Sequence, residues 1–188
     1  MEKPENDLIL DPVYSKTVLE MLTVGNEFCL FLEKAEDYDL RDILLFLDKI
    51  CPLIYIKAAL LPEIPAGDGE ASEHFVTEGD WELVFNTLHQ KFGDDDIYYF
   101  IDHHEKSHTD AIRASLAENF TDIYQDLKDF VLLYQKPRKI SKDWAVSECK
   151  RLFETRFGYR LVNAHAALHY LLFKDGEQGE LQDLSDIL

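Results

Sequence analysis

The sequence predicts an all-α fold, a single-domain bundle of about six helices with a short extended connector near residues 97–101. Three observations predict it. Apolar residues return at steps of three and four through most of the chain, the period of a helix face. Residues that cap helices stand at the heads of those runs. Only one stretch has strand character, and the sequence offers no second convincing strand to pair with it.

Residues 1–12 read as a polar arm. In a first helix over about 15–35, Tyr14, Val18, Met21, Gly25, Phe28 and Leu32 form the apolar stripe. Gly25 is about 1 kcal/mol worse than Ala inside a helix and points to the close approach of a neighbour. Asp39 caps a second helix in which Ile43, Leu44, Leu47, Ile50, Leu53, Ile54, Ala58 and Leu61 leave little polar face, the pattern of a central helix. Pro52 removes one backbone donor there and is expected to kink it. Pro62, Pro65, Gly67 and Gly69 mark a loop. Thr77 and Asp80 then form a relative of the capping box at the head of a third helix. That helix ends near Phe92, with His89 and Lys91 in its last turn and Gly93 beyond.

Ser115 and Glu118 make a capping box for a fourth helix striped by Leu116, Phe120, Ile123, Leu127, Val131 and Tyr134. A basic turn containing Pro137 follows. Ser141 is expected to cap a fifth helix that stops at Gly158, and a sixth reaches about Phe173. Residues 13–174 are thus the bundle and 175–188 an acidic tail. The tail carries five acids and no base, and Leu181, Leu184 and Ile187 keep helical spacing along it as an apolar edge for docking.

A chain of 188 residues buries roughly 70% of its unfolded surface without help from a disulfide or metal. Cys29, Cys51 and Cys149, an odd number within apolar stretches, read as buried thiols of a reducing compartment. The opening residues show no basic, then apolar, secretory pattern. The longest strongly apolar stretch, 50–56, is far short of a membrane span. A cytoplasmic protein is the expectation. The formal charge of −18 opposes binding to phosphate backbones and anionic membranes. It is unevenly spread: residues 62–82 hold seven acids and no Lys or Arg, whereas 136–160 are mainly basic.

Among motifs, His104, Glu105 and His108 spell HExxH, the zinc-site pattern in which Glu is the general base. Its middle positions here are Lys106 and Ser107, its flanks are polar, and only nine residues separate His108 from Glu118, which with Asp122 has the spacing of a third ligand. A solvated loop is the expectation, with zinc the cofactor of the alternative. Glu118, Asp122, Asp126 and Asp129 follow one side of the fourth helix, an arrangement that holds metals in some bundles and more simply forms a solvated face. His165 and His169 share a face of the sixth helix and read as core or boundary residues. Lys136, Arg138, Lys139 and Lys142, near Trp144, could hold an anion or an acidic peptide. The plainer reading is that they neutralise the acidic surface or cap the helix before them.

Four strings carry a resemblance: residues 26–35 (NEFCLFLEKA), 74–77, 114–135 (ASLAENFTDIYQDLKDFVLLYQ) and 149–158 (CKRLFETRFG). Together they resemble a bacterial helical family, domain of unknown function 5063, from about Tyr14 to Phe173. The resemblance implies a helical intracellular fold and no reaction, cofactor or catalytic residue. The function expected from the sequence is a non-catalytic protein-interaction or adaptor module with an unidentified protein partner and no cofactor. The alternatives are a metal-dependent hydrolase using His104, Glu105 and His108, and nucleic-acid association through 136–142, which the net charge opposes.

Overall fold

The computed structural model describes residues 11–65, 74–102 and 110–185, with 175–185 as backbone alone. Its helices are α1 (Lys16–Leu32), α2 (Leu40–Ala59), α3 (Glu78–Phe92), α4 (Leu116–Gln135), α5 (Lys139–Leu152) and α6 (Gly158–Ser185). Between α3 and α4 run two strands, β1 (Ile97–Ile101) and β2 (Ala111–Ser115). A π-helical turn, Phe153–Phe157, joins α5 to α6. The chain is predominantly helical, as the periodicity predicts.

Local signals set most of the boundaries. The Asp39 carboxylate accepts from Asp42 N at 2.8 Å and starts α2. Thr77 and Asp80 exchange both bonds of a capping box at α3, and Gly93, at φ +55°, ends that helix. Ser115 Oγ accepts from Glu118 N and opens α4. Gly25 is buried and lies against α4, where a Cβ would meet Val131, Leu127 and Phe130 at 3.8–4.0 Å.

Four expectations are corrected. The extended stretch at 97–101 is a strand of an antiparallel pair, with Ile97 opposite Ser115 and Ile101 opposite Ala111. Its partner is short and only weakly β-prone, and it is held by what surrounds it. The central helix is α4, which packs on α1, α3, α5 and α6, and not α2, which leaves Leu53, Tyr55 and Ile56 exposed. Helix α4 tolerates this position because most of its inward polar groups have partners: Thr121 Oγ1 donates to Ala117 O, and the aspartates described below each hold at least one partner. Ser141 does not cap α5; it is buried within the first turn of a helix that begins at Lys139. Gly158 does not end a helix either, because its backbone is right-handed helical and the chain continues through it.

Helix α2 runs through Pro52 without a break. Proline has no N–H for the carbonyl four residues before it, which is that of Asp48. His165 of α6 meets this need: its Nε2 lies 3.1 Å from Asp48 O and 3.1 Å from Asp48 Oδ1. Since a carbonyl only accepts, Nε2 carries the proton. His169 Nδ1 is 3.8 Å from the same carboxylate, so this pair of histidines fastens α6 to α2.

Asp96, 1% exposed, holds the hairpin to the bundle. It accepts from Ser115 Oγ at 2.9 and 3.1 Å, from Ala117 N at 2.8 Å, and lies 2.9 Å from His89 Nδ1. One carboxylate thus ties the start of β1 to the first turn of α4 and the last turn of α3. Removing it leaves a buried amide and hydroxyl without partners, at about 1–3 kcal/mol for each unsatisfied group. Asp96→Ala is expected to lose about 3 kcal/mol of stability, measured by urea denaturation. A loss below about 1 kcal/mol would show that water replaces the carboxylate.

Candidate functional site

Three inward aspartates on α4 stand one helical turn apart, and each fixes a different element. Asp122 binds Arg160 of α6 and accepts from Trp81 Nε1 of α3 at 3.1 Å. Asp129 Oδ1 accepts from Phe75 N and Val76 N at 2.8 and 3.1 Å, and its Oδ2 lies 2.9 Å from His74 Nδ1. Asp126, between them and 6% exposed, pairs through Oδ1 with an Arg156 guanidinium nitrogen at 2.8 Å. The solvated-face reading of these three is therefore overturned. Their carboxylates lie beside the apolar stripe and face neighbouring elements, which periodicity alone does not separate from solvent.

Asp126 and Asp129 line a pocket of about 360 Å³ between α4 and α5, together with Arg156 of the π turn, His74 and Lys136. Phe130 and Leu133 of α4 and Ile140, Trp144 and Leu152 of the opposite wall supply its apolar surface. The volume is within the range of small-molecule sites, about 300–1,000 Å³. The π turn sets Arg156 in place. Gly158 N donates to Phe153 O across that wide turn, and a Cβ on Gly158 would lie 2.5 Å from the same oxygen. Glycine is what lets the backbone close there.

Charges in the pocket are matched. Arg151 holds Glu148 through two bonds of 2.6 and 2.7 Å, and this pairing lowers the Glu148 carboxyl below its usual range. Lys136 lies 4.9 Å above the Phe75 ring. Asp126, though paired with Arg156, is shifted the other way. Burial pushes its pKa up to about 6, and Asp122 and Asp129 add to the effect, while Arg156 and Arg160 oppose it. Burial likewise raises the Cys149 thiol, on the pocket wall, and keeps it protonated. Three buried polar atoms of the wall, Asp126 Oδ2, Trp144 Nε1 and Arg156 Nε, have no hydrogen-bond partner among the described residues.

The residues singled out from the sequence are dispersed. Lys136 reaches the pocket. Lys139 pairs with Asp11 and Asp143 at 2.9 and 2.8 Å, Lys142 Nζ donates to Tyr134 O at the end of α4 at 2.5 Å, and Arg138 is exposed. His104, Glu105 and His108 lie outside the described residues, as does Ile187; Leu181 and Leu184 fall on the backbone of α6, which extends past the boundary expected at 173. Among the described residues no cluster of three or more His, Cys, Asp or Glu side chains is placed to hold a metal, and no helix is long and apolar enough to cross a membrane. Sequence reasoning missed Asp126 as a site residue, together with Glu148 and Arg156. The available signal was an acid on the buried side of α4 with the Arg-rich stretch 151–160 downstream.

The fold and the sequence both have relatives. The solved structure of protein BF1032 from Bacteroides fragilis is similar to this chain at a TM-score of 0.76 and 32% identity, over 86% of this chain and 95% of that one. Comparison with curated proteins gives no match. Residues 12–174 match the family described as domain of unknown function DUF5063, and the chain belongs to that family.

Proposed function

We propose that this domain is a non-catalytic recognition module and that the pocket between α4 and α5 receives its ligand, a small molecule. The observation that carries the reading is the coincidence of three unpartnered buried polar atoms, on Asp126, Trp144 and Arg156, with the wall of that one pocket. Native proteins pair nearly all buried polar groups, so three exceptions at one site mark a place where the partner arrives from outside. The remaining wall charges are engaged in pairs and the wall thiol is held protonated, which suits binding better than bond-making.

The test is a fragment screen read at the Trp144 indole N–H by 1H–15N correlation, with the Trp81 indole as internal reference. Fragments that shift the Trp144 signal and leave Trp81 in place are expected, and Ser141→Phe, which adds bulk to the pocket wall, should abolish their effect. A screen in which no fragment moves Trp144 selectively would overturn the reading.

A second reading has its own observation. Leu53 and Ile56 of α2, Leu60 just past its end and Val162 of α6 are each 45–56% exposed, and exposed apolar groups of this kind favour contact with a protein partner. Ile56→Asp places a charge within that face. It is expected to reduce the mass measured by light scattering or to remove a protein that co-purifies with the wild type. A variant with the wild-type mass and the wild-type set of co-purifying proteins would remove this support.

A further inference from the structure

We propose that the free edge of β1 takes up an extended, basic peptide segment of a partner protein, which adds a third strand to the hairpin in the cleft between β1 and α6. The site is separate from the α4–α5 pocket and does not depend on it.

A two-stranded sheet has two open edges, and the one on β1 borders a cavity. Residues 97–100 all line a cleft of about 510 Å³, and no residue of β2 does. Side chains alternate between the two faces of a strand, so a cavity that touches four successive residues runs along the strand's edge. In an antiparallel pair, alternate residues turn their N–H and C=O away from the partner strand. Among the described residues, 97–100 form no backbone hydrogen bond beyond the ladder with β2. Natural proteins blunt such edges with lysine, proline or a bulge. Strand β1 (IYYFI) has neither residue, and its register with β2 is unbroken.

The opposite wall is α6. Asn163, Ala166, Ala167, Tyr170, Leu171 and Lys174 line the cleft from one face of that helix. They extend over about 16 Å along its axis, which is about the length of the five residues of β1. Strand and helix are pinned at both ends. Lys174 Nζ donates to Asp95 at 3.0 Å, and the Tyr159 ring meets Phe100 edge-on with centroids 5.9 Å apart. Between the pins α6 presents two alanines, which keep the walls apart where an added strand would lie. An exposed sheet edge binds extended peptides through main-chain bonds, and the neighbouring surface selects their side chains. Tyr99 and Tyr170, both on the cleft and 64% exposed, offer that surface.

Charge selects the occupant. Asp94 and Asp95 line the cleft, and Lys174, already paired with Asp95, is the one cation among its described residues. Asp94 is exposed and has no ion pair among the described residues. The chain as a whole carries −18. A basic segment is drawn to such an edge and an acidic one is repelled, which turns away the chain's own residues 175–188, with five acids and no base.

The test uses the full chain and an acetylated, amidated peptide of about eight residues in which valine and lysine alternate. Binding is followed by 1H–15N correlation and amide exchange. The peptide is expected to shift the amides of residues 97–100 and to slow exchange at alternate ones, where new ladder bonds form. Methylating the peptide nitrogens removes those bonds and should weaken binding about tenfold or more, and glutamate in place of lysine should do the same. Ala166→Trp fills the cleft from an exposed position and should abolish binding, with urea denaturation to confirm the fold. A methylated or glutamate peptide that binds as tightly as the parent would overturn the proposal, as would a parent peptide that leaves residues 97–100 unmoved. Light scattering that shows a dimer, dissociated by Ala166→Trp, would assign the edge to a second copy of the chain and overturn it as well.

Discussion

At pH 8 the Asp126→Asn protein is expected to melt several degrees above the wild type, and at pH 4 the two should coincide. The sign follows from the direction of the shift. Asp126 titrates near 6 in the folded chain against an ordinary value of 3.8, so the native state holds the proton more tightly than the unfolded state. The stability that this contributes is fully present below about pH 4 and is lost as pH rises through about 6. The difference of about two units corresponds to roughly 3 kcal/mol, and asparagine, neutral at every pH, does not lose it. The groups facing Asp126 are Arg156 on the π turn, Arg160 on α6, Asp122 and Asp129 on α4, and Arg151 and Cys149 on α5. Thermal unfolding of both proteins across pH 4–8 checks the claim. A wild type that is the more stable of the two at pH 8 would show that the Arg156 pair outweighs burial. The predicted outcome describes an acid at a position where stability favours a neutral group, a mark of functional sites.

The second large effect is expected at Gly158. In an ordinary helix Gly→Ala adds up to about 1 kcal/mol of stability. Here the added carbon would sit 2.5 Å from Phe153 O and 2.9 Å from the Phe153 ring. The oxygen belongs to the backbone and cannot turn aside, so the π turn itself must open. Gly158→Ala is therefore expected to destabilise the protein by about 3 kcal/mol, the scale of overpacking in a core, and to separate Arg156 from Asp126. Denaturation measures the first effect. The second appears as an Asp126 carboxyl pKa raised further than in the wild type, followed by 13C chemical shift, because the opposing guanidinium has moved. A variant as stable as the wild type with an unmoved Asp126 would show that the turn yields without strain.

What the sequence makes legible is whatever is encoded within a turn or two of chain. Asp39, Thr77, Asp80, Gly93 and Ser115 mark helix ends through bonds to residues at most four away, and the structure forms those caps. The stripe on α4 is likewise buried from Leu116 to Tyr134. Features set by distant partners are not legible in this way. Strand β2 exists because Asp96 and β1 hold it, and its own five residues carry little strand preference. Asp126 looks like surface until Arg156, far downstream in the chain, is seen beside it. The central position of α4 shows the same limit, because α2 has the more uniformly apolar sequence and yet lies at the edge. The basic turn is readable as charge but not as geometry: Lys139 and Lys142 are engaged within the fold, and of the four cations only Lys136 reaches the pocket.

The wide turn between α5 and α6 bears on the phase of the long helix that contains it. Before the turn, the buried positions are Ser141, Ala145, Val146 and Cys149; after it they are Phe157, Gly158, Leu161, Ala164 and Leu168. Uniform α-helical steps from Ser141, Ala145 and Cys149 lead to 156, 160, 163 and 167, whereas steps from Val146 lead to 157, 160, 164 and 168. The buried face of α5 is thus broad enough to meet that of α6 with or without the additional residue of the turn. What the wide turn delivers is a guanidinium on the pocket wall, that of Arg156 beside Asp126, while the chain stays helical on both sides.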